Sequence, residues 1–96
     1  MSEPTLHVAR SAERALNLLD AVVSAGALSL GEAAKIVDLP TSTALRHLKT
    51  LELNGYLTRA AGGPFSVGPT FLRLAVASLE ASPMARLILA AQPHLN

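Results

Sequence analysis

Apolar residues recur at helical spacing close to the start of the chain. From Ser11 onward a hydrophobic side chain returns every three or four positions, at Ala15, Leu16, Leu19, Val22 and Val23. This spacing gathers the apolar side chains on one face of an α-helix. Gly26 follows three positions after Val23, and glycine often ends a helix. The pattern predicts a first helix over about residues 11–24.

A second helix is indicated by its start signal. Ser29 and Glu32 have the S-x-x-E spacing in which each side chain can bond the free backbone N–H of the other. A helix is therefore expected from Leu30 to about Val37. The residues that follow, Asp38, Leu39 and Pro40, interrupt the pattern, because a residue before proline avoids the helical region.

The third predicted helix starts directly after this break and runs from Thr41 to about Asn54, with Gly55 as its stop. One stripe of it is apolar and holds Ala44, Leu48 and Leu51. The residues assigned to the other, polar side are Thr43, Arg46, His47 and Thr50. The helix is thus expected to have one core face and one polar face.

Two short strand-like runs, residues 56–59 and 65–67, flank a Gly-Gly-Pro turn and predict a hairpin, or wing. Pro69 can occupy the first turn of a fourth helix that ends near Ser82, and a fifth helical segment begins at Pro83. The predicted fold is mostly α with a small β-hairpin. It is a winged helix-turn-helix, in which a three-helix core and a wing are followed by a linker helix.

Composition narrows the functional classes. Hydrophobic residues make up 50% of the chain and charged residues 16%, which favours a folded domain. The net charge of +1 neither supports nor excludes DNA as a partner. The absence of cysteine excludes disulfides and fits a reducing compartment, so the cytoplasm is expected. No apolar run approaches the roughly 20 residues that cross a bilayer, and neither a membrane segment nor a targeting segment is predicted.

Catalytic and metal-binding motifs are not found in the sequence. It contains no G-x-S-x-G, G-x-G-x-x-G, H-E-x-x-H or phosphate-binding loop. The histidines His7, His47 and His94 share no ligand-like spacing. The chain is therefore predicted not to be an enzyme and to need no cofactor or metal.

Many residues of the helix-turn-helix and the wing fit the pattern of one known family. In the helix-turn-helix they are Leu30, Glu32, Leu39, Pro40, Ser42, Thr43, Arg46, Leu48, Leu51, Glu52, Gly55 and Tyr56. In the wing and the next helix they are Phe65, Val67, Gly68, Leu72, Leu74 and Ala75. With these residues the chain resembles the isocitrate-lyase-regulator (IclR) family of transcription factors over nearly its whole length. Near the end, Ala91, Pro93, His94 and Leu95 resemble the first helix of the family's C-terminal domain.

The resemblance implies a domain organisation and partners. Residues 1–68 would be the DNA-binding domain, residues 69–82 a linker and dimerisation helix, and residues 83–96 the start of a C-terminal effector-binding domain. The implied partners are an operator in double-stranded DNA, a second copy in a homodimer or a tetramer, and a small-molecule effector held by the domain that follows.

Five positions depart from the family pattern, among them Thr41, where a basic residue is frequent, and Lys49, where a small one is. Asp38 stands where the family favours glycine, although aspartate tolerates the left-handed conformation better than most residues. His47 stands where an aliphatic residue is usual. Pro64 replaces a common arginine, which leaves Arg59 as the only cation near the hairpin.

Eight residues are the candidate DNA contacts: Thr41, Ser42, Thr43, Leu45, Arg46, His47, Lys49 and Arg59. An arginine can bond guanine or grip a phosphate, whereas hydroxyls and N–H groups at a helix start can bind phosphate. An outward leucine at position 45 can meet a thymine methyl, and Lys49 and Arg59 suit phosphate. The alternatives are solvated charges at 46, 49 and 59, simple N-capping at 42 and 43, and a merely exposed leucine at 45.

A winged helix used for protein contacts is the competing function. Residues 39–60 carry three cations and one anion, a net +2, which favours DNA over a protein partner.

Arg10 and Arg14 at the start of the first helix can approach the DNA backbone or a partner subunit. Apolar residues beyond the needs of a small core can bury against a second copy or the C-terminal domain: Leu72, Leu79, Met84, Leu87, Ile88 and Leu89.

Overall fold

The computed structural model describes residues 9–91. Residues 1–8 and 92–96 lie outside the described residues, and so do the predictions made for Pro93, His94 and Leu95. The elements in chain order are α1 Arg10–Ala25, β1 Ala27–Leu28, α2 Leu30–Val37, α3 Thr41–Leu53, β2 Leu57–Arg59, β3 Phe65–Val67, α4 Pro69–Ala81 and α5 Pro83–Ala90. The predicted order of helices and the wing is confirmed. The fold is mostly α with a small antiparallel sheet.

The sheet has one strand more than the predicted hairpin. Its order is β1-β3-β2, and β1 pairs antiparallel with β3 through Ala27↔Ser66 and Leu28↔Phe65. A strand of two residues has no periodicity to detect, so the sequence pattern did not predict it. The pairing ties the segment after α1 to the wing.

The capping box at the start of α2 is confirmed. The Glu32 backbone N–H donates to Ser29 Oγ at 3.1 Å, and the Ser29 N–H donates to Glu32 Oε1 at 2.9 Å. At the other end Asp38 adopts the left-handed conformation, with φ 59° and ψ 54°. The Leu39 N–H then donates to the Ala34 carbonyl at 2.9 Å. This turn closes α2 and redirects the chain into α3.

The hydrophobic core lies where α1, α2, α3 and the sheet meet, and α1, α2 and α3 contact one another. Its buried members are Leu18, Val22, Leu28, Ala33, Ala34, Ala44, Leu48, Leu51, Leu57 and Phe65. We call residues 10–67 the head. We call α4 and α5, residues 69–90, the arm, which has no buried residue.

His47 belongs to this interior, so its predicted place on the polar face of α3 is wrong. Its side chain is 6% exposed, and its Nδ1 lies 2.8 Å from the Thr43 carbonyl oxygen. Because a carbonyl only accepts, Nδ1 carries the proton and donates it. The histidine thus fills an inward position, and one of its ring nitrogens is hydrogen-bonded to the backbone of the preceding helical turn.

Two glycines join the arm to the head. Gly55 has φ 79°, and a Cβ there would overlap Thr70 Oγ1. At Gly68 a Cβ would overlap the Gly55 carbonyl and lie 2.8 Å from the Leu57 carbonyl oxygen. The Thr70 N–H donates to the Gly55 carbonyl at 2.8 Å, and the Gly68 N–H donates to the Tyr56 carbonyl at 2.9 Å. The start of α4 is therefore held by backbone hydrogen bonds against the end of α3.

Candidate nucleic-acid interface

The start of α3 is a free helix end. Pro40 occupies the N-cap position without a side-chain capping bond, and its carbonyl accepts the first helical bond, from the Ala44 N–H at 2.9 Å. The suggestion that Ser42 and Thr43 only cap this helix is therefore wrong. Uncapped N–H groups at a helix start, together with the helix dipole, favour an anion.

One face of α3 is exposed along its whole length. Ser42, Arg46, Lys49 and Leu53 follow one another at steps of four, three and four residues, and all four are exposed. Such steps place side chains on one side of a helix. We call these four residues the α3 outer face. Thr50 is also exposed, and its hydroxyl donates to the Arg46 carbonyl at 3.1 Å.

The opposite face of α3 is anchored in the core by its four buried residues, Ala44, His47, Leu48 and Leu51. Because these side chains pack against the rest of the head, the outer face is presented by a rigid element. A helix that is fixed on one side and exposed on the other has the geometry that major-groove recognition uses.

The eight candidate residues do not form one surface. Thr41 is exposed beside the α3 outer face, whereas Thr43 is half-buried. Leu45, placed outward by the sequence, is half-buried and packs against the core. His47 is buried, so its side chain has almost no surface with which to contact a duplex.

Arg59 is folded onto the wing, the unit formed by β2, β3 and the turn at 60–64. Its Nε–H donates to the Gly63 carbonyl at 2.7 Å, and its guanidinium carbon lies 4.4 Å from the centre of the Phe65 ring. The side chain is half-buried. Sequence reasoning treated this arginine as a free cation, and only the register of the hairpin, which pairs Arg59 with Phe65, reveals the contact.

Leu53 is the residue of the α3 outer face that sequence reasoning missed. It is 87% exposed at the end of α3. The signal that could have found it was its spacing, four residues after Lys49 and seven after Arg46, which places it with the polar residues and away from the apolar stripe.

The described residues offer no sign of two other kinds of site. Over residues 9–91 no helix has both the length and the apolar character to cross a bilayer. In the same residues no three of the side chains His, Cys, Asp and Glu come together as a metal site would require.

Fold and surface together define a winged helix-turn-helix domain. A family profile of the IclR helix-turn-helix domain matches residues 11–61, more than half of the 96 residues. The chain belongs to the IclR helix-turn-helix family, a family of transcriptional regulators. No curated protein matches the chain.

Several solved structures have the same fold. The crystal structure of Pseudomonas aeruginosa HmgR matches with a TM-score of 0.70 and 30% identity, over 81% of this chain and 33% of that one. An IclR homolog from Microbacterium hydrocarbonoxydans, complexed with 4-hydroxybenzoate, matches with a TM-score of 0.67 and 28% identity, over 88% and 35%. The Agobacterium tumefaciens repressor BlcR matches with a TM-score of 0.65 and 28% identity, also over 88% and 35%. The chain thus spans about a third of the length of these proteins.

Proposed function

We propose that this chain is the DNA-binding end of a cytoplasmic transcriptional regulator and that α3 enters the major groove of duplex DNA. The observation that carries the proposal is the α3 outer face, where Ser42, Arg46 and Lys49 are exposed on a helix whose other side is anchored in the core. Membership of a family of transcriptional regulators supports it. An α-helix fits the width of the major groove of B-DNA.

Each exposed group of α3 has a chemical role in the proposal. Arg46 donates to guanine O6 and N7, the commonest specific contact of an arginine at DNA. Lys49 meets a phosphate, which sets the register of the helix on the duplex. The uncapped N–H groups and the hydroxyls of Thr41, Ser42 and Thr43 bind the phosphate at the helix start. The remaining surface of Leu45 meets a thymine methyl, and His47 is left out because it is buried.

The rest of the chain is proposed to connect this DNA-binding unit to its partners. Residues 1–68 form the DNA-binding domain, residues 69–82 the linker and dimerisation helix, and residues 83–96 the start of an effector-binding domain. The exposed apolar side chains of the arm, among them Leu72, Val76, Met84 and Leu87, support burial against a second copy or against that domain. A homodimer, or a tetramer of the full-length protein, would place two α3 helices on two half-sites.

An effector-binding domain beyond residue 96 is supported by the length of the relatives, of which this chain spans about a third. One of them was crystallised with 4-hydroxybenzoate. We propose that a small-molecule effector binds that domain and alters the spacing or orientation of the two DNA-binding heads.

The test compares the wild-type chain with Arg46→Ala on a duplex that the wild-type chain selects from a random-sequence library and on a scrambled duplex. Arg46→Ala is expected to weaken binding of the selected duplex by about 1–3 kcal/mol and to reduce the difference in affinity between the selected and the scrambled duplex. Lys35→Ala removes the same charge from an exposed position of α2 that is not among the candidate DNA contacts and serves as the control, with little change expected. Affinities are measured at several salt concentrations.

The salt dependence separates specific reading from the general attraction of cations to phosphate. Removing a side chain that bonds only a base leaves the slope of log K against log salt nearly unchanged. Removing one cation from a phosphate lowers the magnitude of that slope by about 0.9. Absence of binding at low salt, even when two copies are joined by a flexible linker, would contradict the proposal. The protein-contact function would then replace it.

A further inference from the structure

Arg59 is the cation of the wing, and its surroundings are unusual for a group that meets phosphate. The Nε–H group is already used, because it donates to the Gly63 carbonyl across the turn at 2.7 Å. The guanidinium carbon lies 4.4 Å from the centre of the Phe65 ring. A cation over an aromatic face is attracted by the ring, and this attraction competes with the solvation that an extended arginine would have.

The ring beneath Arg59 is part of the core. Phe65 is fully buried, and it pairs with Arg59 across the β2–β3 ladder and with Leu28 of β1. Arg59 therefore lies between a fixed ring on one side and the backbone of the turn on the other. Through these two contacts the position of Gly63 is fixed relative to the core of the head.

Apart from Arg59, the turn is fixed by one backbone hydrogen bond and by the restricted φ of Pro64. It reads Ala60, Ala61, Gly62, Gly63, Pro64, and Gly62 has φ 67°. Its own backbone bond runs from the Gly63 N–H to the Ala60 carbonyl at 2.7 Å. Ala60, Ala61, Gly62 and Pro64 are exposed, so the surface that the wing tip offers consists of backbone groups, methyl groups and the proline ring. A glycine-rich segment of this kind loses much conformational entropy when it is ordered.

We propose that Arg59 is a positioning residue, which shapes the wing tip for contact with duplex DNA and does not act as a phosphate ligand. The inference rests on the proposed function. Its basis is chemical: a guanidinium is planar and donates from fixed directions, so it can lie flat on Phe65 and bond Gly63 at the same time. A lysine ammonium has the same charge but neither the planar shape nor the Nε donor. Charge and geometry can therefore be separated by substitution.

The experiment measures binding of the selected duplex by the 96-residue chain and by Arg59→Lys and Arg59→Gln over a range of salt concentrations. For a positioning residue, Arg59→Lys and Arg59→Gln weaken binding to a similar extent, about five-fold to twenty-fold, and both keep the wild-type salt slope. Lys49→Gln is the control for removal of a cation that meets phosphate, and the magnitude of its slope is expected to fall by about 0.9. Circular dichroism melts confirm that each variant is folded at the temperature of the titration.

A second measurement needs no DNA. In NMR spectra of the free protein, the Arg59 Nε–H is expected to exchange with water more slowly than that of the exposed Arg73. The reason is that the Arg59 Nε–H donates a hydrogen bond to the Gly63 carbonyl and its guanidinium lies over the buried Phe65 ring. Equal exchange at both arginines would overturn the inference. So would an Arg59→Lys variant with wild-type affinity beside an Arg59→Gln variant with a reduced salt slope. A wild-type chain that binds no duplex would overturn the proposed function, a result distinct from either of these.

Discussion

The head and the arm are built from helices of similar length but are stabilised in different ways. In the head, α1, α2, α3 and the sheet share one core, and side chains such as Leu18, Leu48 and Phe65 are fully buried. In the arm, neither α4 nor α5 has a buried residue, although both are rich in large apolar side chains. Apolar character alone therefore does not indicate burial within this chain. The head has a core of its own, whereas the arm exposes apolar side chains that the proposed dimer or effector-binding domain would cover.

Because only the head has a core, replacement of a leucine by alanine is expected to change the free energy of unfolding much more in the head than in the arm. Leu18→Ala removes a side chain with 0% exposure from α1 and leaves a cavity, which is expected to lower the free energy of unfolding by about 2–5 kcal/mol. Leu87→Ala removes the same atoms from a side chain that is 71% exposed on α5, and a change within about 0.5 kcal/mol is expected. Urea denaturation of dilute protein measures both. Equal losses would show that the arm has a core of its own. A Leu87→Ala loss that grows with protein concentration would indicate burial in a dimer.

The joint between head and arm gives the next largest effect. Gly55→Ala would place a methyl group against Thr70 Oγ1 at a position with φ 79°, so a loss of more than about 2 kcal/mol is expected. Gly31→Ala is the matched control: its Cβ meets no atom within 4 Å and it lies in α2, so it should stabilise the chain by about 0.5–1 kcal/mol. Thermal melts compare the two. A Gly55→Ala chain as stable as wild type would mean that α4 moves freely relative to the head.

The smallest effect is expected at the turn inside the head. Asp38 has φ 59°, a conformation that glycine adopts without strain, so Asp38→Gly should raise the free energy of unfolding by about 0.5 kcal/mol. Asp38→Ala, which lacks a side chain that tolerates this conformation, should lower it by about 1 kcal/mol. Chemical denaturation gives both values. If both variants changed the free energy of unfolding in the same direction, the left-handed conformation of residue 38 would not be what controls their stability.

The candidate site shows how far residue spacing reaches. The spacing in the sequence located α3 and the exposed positions 42, 46 and 49. Residue type misled at His47, where a polar side chain was taken as exposed, whereas the fold buries the ring in the core of the head and its Nδ1 donates to the Thr43 carbonyl. Residue type also misled at Leu53, an apolar side chain that is 87% exposed. Residue type and helical position disagreed at both places, and position was the better guide.

The sequence by itself determined the helices, the capping box of Ser29 and Glu32 and the break before Thr41, because these depend on bonds between residues a few positions apart. Only the tertiary structure decided the third strand and the contact of Arg59 with Phe65. The attachment of α4 through Gly55 and Gly68 was decided in the same way. Each of these depends on elements that lie apart in the chain and are brought together by burial of a common core, which no local spacing encodes.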